Sequence, residues 1–350
     1  MVLDGQDPQA VRRAAEALAH GELVGMPTET VYGLAARADQ DAAVAKIFAA
    51  KGRPSDHPLI VHVLDESAAR VFAQDVPDVA HRLIQAFWPG PLTLIVRRAP
   101  GMAAAAAGGQ DSVGLRCPSH PVARALLAQC RELGVEGLAA PSANRFGRVS
   151  PTLAQHVADE FDPGLLVLDG GACDVGIEST IVDCSRGRPV LLRPGVLTPE
   201  QIEAAAGVPL QAPDAQAPRA SGTLAAHYAP RAVVRLMSTE ALRAALKVQP
   251  SAADGKIGTD AVTTSPAAAG EAARPSGLAV YSRTALDVGD ALYRPMPAQA
   301  RAAARQLFAV LRELDAEGAS EIWVETPPDE AAWDGVRDRL SRAAAAFVPR

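Results

Sequence analysis

The sequence predicts an α/β fold in two domains, and three observations carry that reading. Short apolar runs rich in β-branched residues, such as Leu59-Ile60-Val61-His62-Val63-Leu64, alternate with segments of helical period. At 350 residues the chain exceeds one average domain. Its composition also changes after about Gly207: residues 209–221 repeat Ala, Pro, Gln and Asp with no hydrophobic period, as a linker or mobile loop does.

The elements follow in order. Residues 11–18 read as a helix that Gly21 stops. Residues 23–26 form a short buried strand that leads into a turn at Pro27, and residues 42–50 form a helix. The run 59–64, bounded by Pro58 and Asp65, is a strand. Residues 92–96, 112–116 and 137–140 are further strands, with helices near 76–87 and 121–130 among them. Strands at 165–168, 180–183 and 189–192 have Gly-rich connections. Some neighbours lie close enough to pair antiparallel, which makes the sheet mixed. Beyond the linker, strand-like segments at 232–237, 278–281 and 321–325 join helices at 299–317 and 330–345, a second and smaller α/β domain. Residues 250–276 are rich in Ala, Thr, Ser and Pro and are expected to be a disordered surface insertion.

Composition narrows the function classes. Hydrophobic residues at 48% with 21% charged are ordinary for a soluble globular chain. A net charge of −6 gives no global electrostatic case for nucleic-acid binding, so any polyanion site must be a local cluster. Cys117, Cys130, Cys173 and Cys184 form no C-x-x-C pair or metal-ligand spacing; free buried thiols and a reducing cytoplasm fit them. The first ten residues carry Asp4 and Asp7 without an apolar core, unlike a signal peptide, and no apolar run reaches membrane-spanning length. A cytoplasmic location with no membrane association is the expectation.

Chemistry concentrates in a few segments. Pro27-Thr28-Glu29-Thr30-Val31-Tyr32-Gly33-Leu34 is followed, across the single helix at 42–50, by Lys51-Gly52-Arg53-Pro54. An Arg fork suits phosphate oxygens and Lys acts as a point charge, although cations just past a helix end are also what its dipole favours. Arg116 and Arg193 each end an apolar strand, at the carboxyl edge where ligands of α/β folds bind; each taken alone could equally be a surface residue. Thr28 and Thr30, if extended, share a face. Ala140-Pro141-Ser142-Ala143-Asn144-Arg145-Phe146-Gly147, with Ser150 after it, supplies short hydroxyl and amide donors, whose commoner use is turn formation. Ser179 reads as a turn residue and His62 as a core histidine; His57 and His62 are too few for a metal site. No P-loop, G-x-G-x-x-G, G-x-S-x-G elbow or H-E-x-x-H is present.

The PTETVYGL run, KGRP, the LIVHV strand, the GLRCP strand end and PSAN together resemble the YrdC/Sua5-type threonylcarbamoyl-AMP synthases, over about residues 10–206. That family's K-x-R plus S-x-N signature falls on Lys51, Arg53, Ser142 and Asn144. His227-Tyr228-Ala229-Pro230 resembles the end of the linker in the longer, Sua5-type members, and residues 296–344 resemble their C-terminal domain. The resemblance implies a YrdC-like twisted mixed sheet with helices around a concave cavity, and a smaller Rossmann-like Sua5 domain. It divides the chain into a catalytic domain at 1–207, a linker or lid at 208–230, and a C-terminal domain at 231–350. It also implies a reaction: L-threonine, bicarbonate and ATP give threonylcarbamoyladenylate and diphosphate, for t6A formation in tRNA by separate transferase proteins. Thr30, His62, Arg116, Ala140 and Ser179 would hold L-threonine. Lys51, Arg53, His57, Ser112, Ser142, Asn144, Ser150, Arg193 and Tyr228 would surround ATP, with Lys51 and Arg53 catalytic. Mg²⁺ would arrive with ATP rather than in a protein cage.

The chain departs from the family pattern in places. His57 stands where Asn is common, Ser221-Gly222-Thr223 where the linker often has a Pro-Gly-Met start, and DEAAWDG replaces a Gly-rich segment. Two other readings compete. An RNA-binding module would use the concave basic surface of relatives for a weak tRNA contact, but aromatic residues are scarce at 4%. A carbamoyl-transfer unit, as in hydrogenase-maturation proteins, would come with zinc-finger-like and acylphosphatase-like parts that this sequence lacks.

Overall fold

The computed structural model describes residues 1–247 and 275–347. The expected insertion at 250–276 lies, except for its last two residues, outside them. Ten strands of the described chain form one sheet: β1 (Val2–Asp4), β2 (Val24–Met26), β3 (Gly33–Arg37), β4 (Ile60–Val63), β5 (Leu92–Arg97), β6 (Ser112–Arg116), β7 (Gly137–Ala139), β8 (Leu166–Asp169), β9 (Thr180–Asp183) and β10 (Val190–Arg193). Their order is β1-β8-β2-β3-β7-β4-β6-β5-β9-β10. Parallel pairs such as β4 with β6 mix with antiparallel ones such as β5 with β6, as the short connections require.

Helices α1 (Pro8–Ala19), α2 (Asp41–Lys51), α3 (Glu66–Phe72), α4 (Asp78–Phe87), α5 (Pro121–Glu132), α6 (Ala154–Ala158) and α7 (Pro199–Ala206) cover this sheet. Side chains alternate along each strand. Leu34 and Ala36 of β3 join the cluster with Ile47 of α2 and Leu83 of α4, while Ala35 joins Leu18 of α1 and Leu126 of α5. The same alternation prepares the site. Val61, Leu92, Leu94 and Leu115 enter the first cluster, so their strand neighbours Ile60, His62, Thr93 and Arg116 turn to the other face. All four cysteines are free and buried.

The second sheet is wholly parallel, with β11 (Val233–Met237), β12 (Leu278–Ser282), β13 (Leu292–Pro295) and β14 (Glu321–Glu325) in the order β11-β14-β12-β13. It packs against α8 (Thr239–Lys247), α9 (Ala300–Ala316) and α10 (Asp334–Ala345). Its core is continuous with the first domain: Val31, Val149, Val175, Ile177 and Tyr228 belong to the same cluster as Phe308, Leu311 and Leu340. The two domains therefore bury one joint apolar surface.

Several expectations need correction. Strand β3 stands between the Pro27 turn and α2, so the turn and the Lys51–Arg53 pair are not joined through a helix alone. Its sequence, GLAAR, has no β-branched residue, and burial on both faces rather than propensity makes it a strand. Strands β1 and β13 and helices α3, α6, α7 and α8 were also not legible, being short or weakly patterned. The predicted 330–345 helix begins at Asp334, after a 3₁₀ turn at Ala331–Trp333.

Candidate ligand cavity

The face left uncovered by helices closes into a cavity. Ile60 and His62 of β4, Arg116 at the end of β6, Arg193 at the end of β10 and Arg53 just after α2 meet there. Ala140, Pro141 and Ser142 form one wall, Glu178 and Ser179 another, and Ser221, Gly222, His227 and Tyr228 of the connecting segment a third. The helix-end Arg53 and the strand-end Arg116 and Arg193 are thus brought together on one concave surface.

Each arginine is held by specific acceptors. Arg116 Nη2 donates to Glu29 Oε1 at 2.6 Å, and the backbone N–H of Ser119 donates to Glu29 Oε2 at 3.1 Å. Arg193 donates from Nε (3.1 Å) and Nη2 (2.8 Å) to the Ser179 carbonyl, and from Nη1 to the Ser221 carbonyl at 2.7 Å. Arg53 Nη2 donates to the Pro58 carbonyl at 3.0 Å, and its guanidinium lies 5.6 Å from the Phe146 ring centre. Burial lowers the Arg53 pKa to about 10, which leaves it charged at neutral pH. His62 is pushed down to about 3, by burial first and then by Arg116. It is a neutral imidazole whose buried Nδ1 has no hydrogen-bond partner.

Other predicted residues sit differently. Lys51 does not line the cavity. Its ammonium donates to the carbonyls of Ser142, at 2.6 Å, and of Asn144, and burial holds its pKa well below the ordinary lysine value. It ties the end of α2 to the back of the 140–147 segment. Asn144 Nδ2 donates to the carbonyls of Arg145 and Arg148 and shapes that segment, while its Oδ1 is buried without a partner. Thr30 also lies behind the surface: Thr28 is the lining residue, and the two hydroxyls are 2.9 Å apart. The segment is a turn in which Thr28 Oγ1 accepts from the N–H groups of Thr30 and Val31, not the extended stretch that would put both threonines on one face. Ser112 lines an adjoining cleft that shares Ile60 and Ser221 with the main cavity. His57 is half-buried, edge-on to Phe146 at 5.4 Å. Ser150 donates its hydroxyl to Glu178 at 2.5 Å, and the Ser179 hydroxyl meets Thr93 at 2.7 Å.

Tyr228 is almost fully buried and has φ of 63°, a conformation costly for a bulky residue. Its ring stacks on Phe308 at 5.5 Å, and its hydroxyl donates to the Gly222 carbonyl at 3.4 Å. Sequence reasoning missed the carboxylates. Glu29 pairs with Arg116, and Glu178 with Arg339 of α10 at 2.7 Å. Arg339 left a signal, since it falls within the buried stripe Val336, Leu340 and Ala343 of its helix. Among the described residues no group of His, Cys, Asp or Glu is arranged to hold a metal ion, and no helix is long and apolar enough to cross a membrane.

Fold and cavity together define a class: a two-domain α/β protein whose arginine-lined cavity is walled on one side by the segment that leads to the second domain. Residues 16–195 match a family model described as "Telomere recombination", that of the Sua5, YciO and YrdC proteins, and residues 197–345 match the "Threonylcarbamoyl-AMP synthase, C-terminal domain". The chain is 38% identical to a threonylcarbamoyl-AMP synthase of Bacillus subtilis, covering 99% of this chain and 96% of that one. It is 35% identical to one of Pyrococcus abyssi, covering 95% and 93%. The crystal structure of P. abyssi Sua5 complexed with L-threonine superposes with a TM-score of 0.81, at 32% identity over 99% of this chain and 98% of that one. The chain belongs to the Sua5/YrdC family, in its two-domain form.

Proposed function

We propose that this protein is a threonylcarbamoyl-AMP synthase, a nucleotidyltransferase that converts L-threonine, bicarbonate and ATP into threonylcarbamoyladenylate, diphosphate and water. One observation carries the reading. Arg53, Arg116 and Arg193 converge with a neutral His62 and Ser179 on one cavity, in a chain alike over nearly its whole length to relatives of that name. Arg116 receives the amino-acid carboxylate while Glu29 holds the other edge of the guanidinium. His62, uncharged, offers the threonine a hydrogen-bond partner that does not compete for its carboxylate, and Ala140 and Ser179 complete that end with Thr30 as support. The threonine nitrogen takes up bicarbonate carbon with loss of water, and the resulting carbamate oxygen attacks the α-phosphorus as diphosphate leaves.

Arg53 and Arg193 face the phosphates and neutralise charge that builds on them, and Lys51 contributes its charge from behind Ser142 and Asn144. Ser112, His57, Ser150 and Tyr228 surround the nucleotide, and Mg²⁺ enters as part of the ATP substrate. Catalysis is then positioning and electrostatics, without a covalent intermediate on the protein. Residues 1–207 form the catalytic domain, 208–230 a lid that excludes water from a labile adenylate, and 231–350 the C-terminal domain. The product passes in the cytoplasm to t6A transferase proteins acting on tRNA. The test is diphosphate release from ATP and Mg²⁺. Release that needs both L-threonine and bicarbonate, with serine much poorer, is expected; release independent of the amino acid would leave a nucleotide hydrolase.

A further inference from the structure

The C-terminal domain sends one charged side chain into the first domain. Arg339 of α10 is 1% exposed and makes a set of contacts that a surface-domain tether would not need. Its Nε donates to Glu178 Oε2 at 2.7 Å and its Nη2 to the Glu178 carbonyl at 3.2 Å. Its Nη1 donates to the Pro194 carbonyl at 2.9 Å, next to Arg193, and to Asp338 at 2.7 Å. Its guanidinium lies 5.3 Å from the Tyr228 ring centre. Glu178 in turn accepts from Ser150 and lines the cavity beside Ser179. One guanidinium therefore touches the backbone or side chain of three segments that wall the cavity.

The domains are also locked together where this happens. A Cβ on Gly335 of α10 would lie 2.6 Å from the Gly195 carbonyl oxygen and 2.7 Å from Ile177, and one on Gly176 would lie 2.5 Å from the Ala304 carbonyl oxygen of α9. Backbone meets backbone on both sides of Glu178, so the register of Arg339 relative to the cavity is fixed. We propose that Arg339 is a positioning residue of the ligand site, through which the C-terminal domain sets the Glu178-Ser179 wall and the Tyr228 ring. This rests on the synthase reading above. The second domain is then a component of the site rather than an appendage. Removing the guanidinium leaves Glu178 as a buried carboxylate short of its main counter-charge, which pulls the wall out of place.

The test uses the full chain and four variants: Arg339→Met, Arg339→Lys, Glu178→Gln and the double Glu178→Gln/Arg339→Met. Threonine- and bicarbonate-dependent diphosphate release gives kcat and KM, calorimetry gives ATP affinity, and thermal unfolding reports folding. Expected for Arg339→Met is a rise of about tenfold in KM for ATP with a smaller change in kcat, Arg339→Lys falling between it and the parent. The double variant should regain most of the loss, because a neutral amide needs no counter-charge; coupling of that kind is the signature of a pair acting as a unit. A folded Arg339→Met with parental KM values, or a double variant no better than it, overturns the proposal. If Arg339→Met does not fold, Arg339→Lys and Glu178→Gln are held to the same criterion, a raised KM for ATP. If the parent releases no diphosphate yet binds ATP, the synthase reading fails, and an ATP affinity weakened about tenfold in Arg339→Met still supports the positioning role. An unchanged affinity overturns it.

Discussion

Arg53 and Lys51 flank one glycine yet do different work, and mutation should separate them. Arg53→Ala removes a charge from the cavity wall and should lower diphosphate release at least about tenfold, some 1.4 kcal/mol of barrier, with folding intact. Lys51→Ala should lower it as much and also cost about 1–3 kcal/mol of stability, because the buried carbonyls of Ser142 and Asn144 lose their donor. Denaturant unfolding of the two variants checks this, and equal stabilities would refute the division. The two buried imidazoles make a further prediction. His62 and His227 are both pushed down to about 3, chiefly by burial. Above the ordinary value of 6.5 neither the folded nor the unfolded chain carries these protons, so stability is unaffected. As pH falls below that value, the unfolded chain takes up protons that the folded one refuses, so stability drops by about 1 kcal/mol per pH unit for each. The urea midpoint should therefore fall between about pH 7.5 and about pH 5.5, and a flat profile would show that these histidines are not held neutral.

At the scale of elements, the connecting segment owes its course to contacts far along the chain. Its composition reads as a linker or mobile loop, and it lies along the first domain. Arg186 pairs with Asp214, Gln211 bridges to Val190, and Arg219 is held by Asp56, Gly108 and Gln110. None of these contacts has a local pattern, so no window of sequence could have shown them. Gly222 is the tightest point. It has φ of +74°, and a Cβ there would collide with the Tyr228 hydroxyl and lie 2.9 Å from Arg193 Nη1. Gly222→Ala should cut diphosphate release about tenfold while moving the thermal midpoint by no more than a few degrees, since the strain falls on the cavity wall and not on the cores. Parental kinetics would mean that this wall does not touch the nucleotide.

Across the whole molecule, the decisive feature is the shared apolar cluster and the glycines that let the domains meet. Gly335→Ala tests it cleanly. Within a helix, Ala is ordinarily the better residue by about 1 kcal/mol. In this helix the added methyl runs into Gly195 and Ile177, so the variant should instead be destabilised by about 1–3 kcal/mol. A more stable Gly335→Ala protein would show that the domains separate freely. The long-range pairs tell the same story: Glu29 and Arg116 lie 87 residues apart, and Glu178 and Arg339 lie 161 apart. Arg116 and Arg193 were legible as cations at strand ends, whereas their carboxylate neighbours were not, because a partner so distant leaves no spacing to read.

The amino-acid sequence by itself determined the α/β class, the positions of most strands and long helices, and the strand-end and helix-end arginines, because those depend on hydrophobic period and turn chemistry within about a dozen residues. The tertiary structure decided which of these residues share a cavity. It placed Lys51, Asn144 and Thr30 behind the wall, made a strand of Gly33–Arg37, laid the connecting segment across the site, and brought Arg339 in from the second domain. Those outcomes follow from burial and counter-charge between segments far apart in the chain, which only the packed molecule brings together.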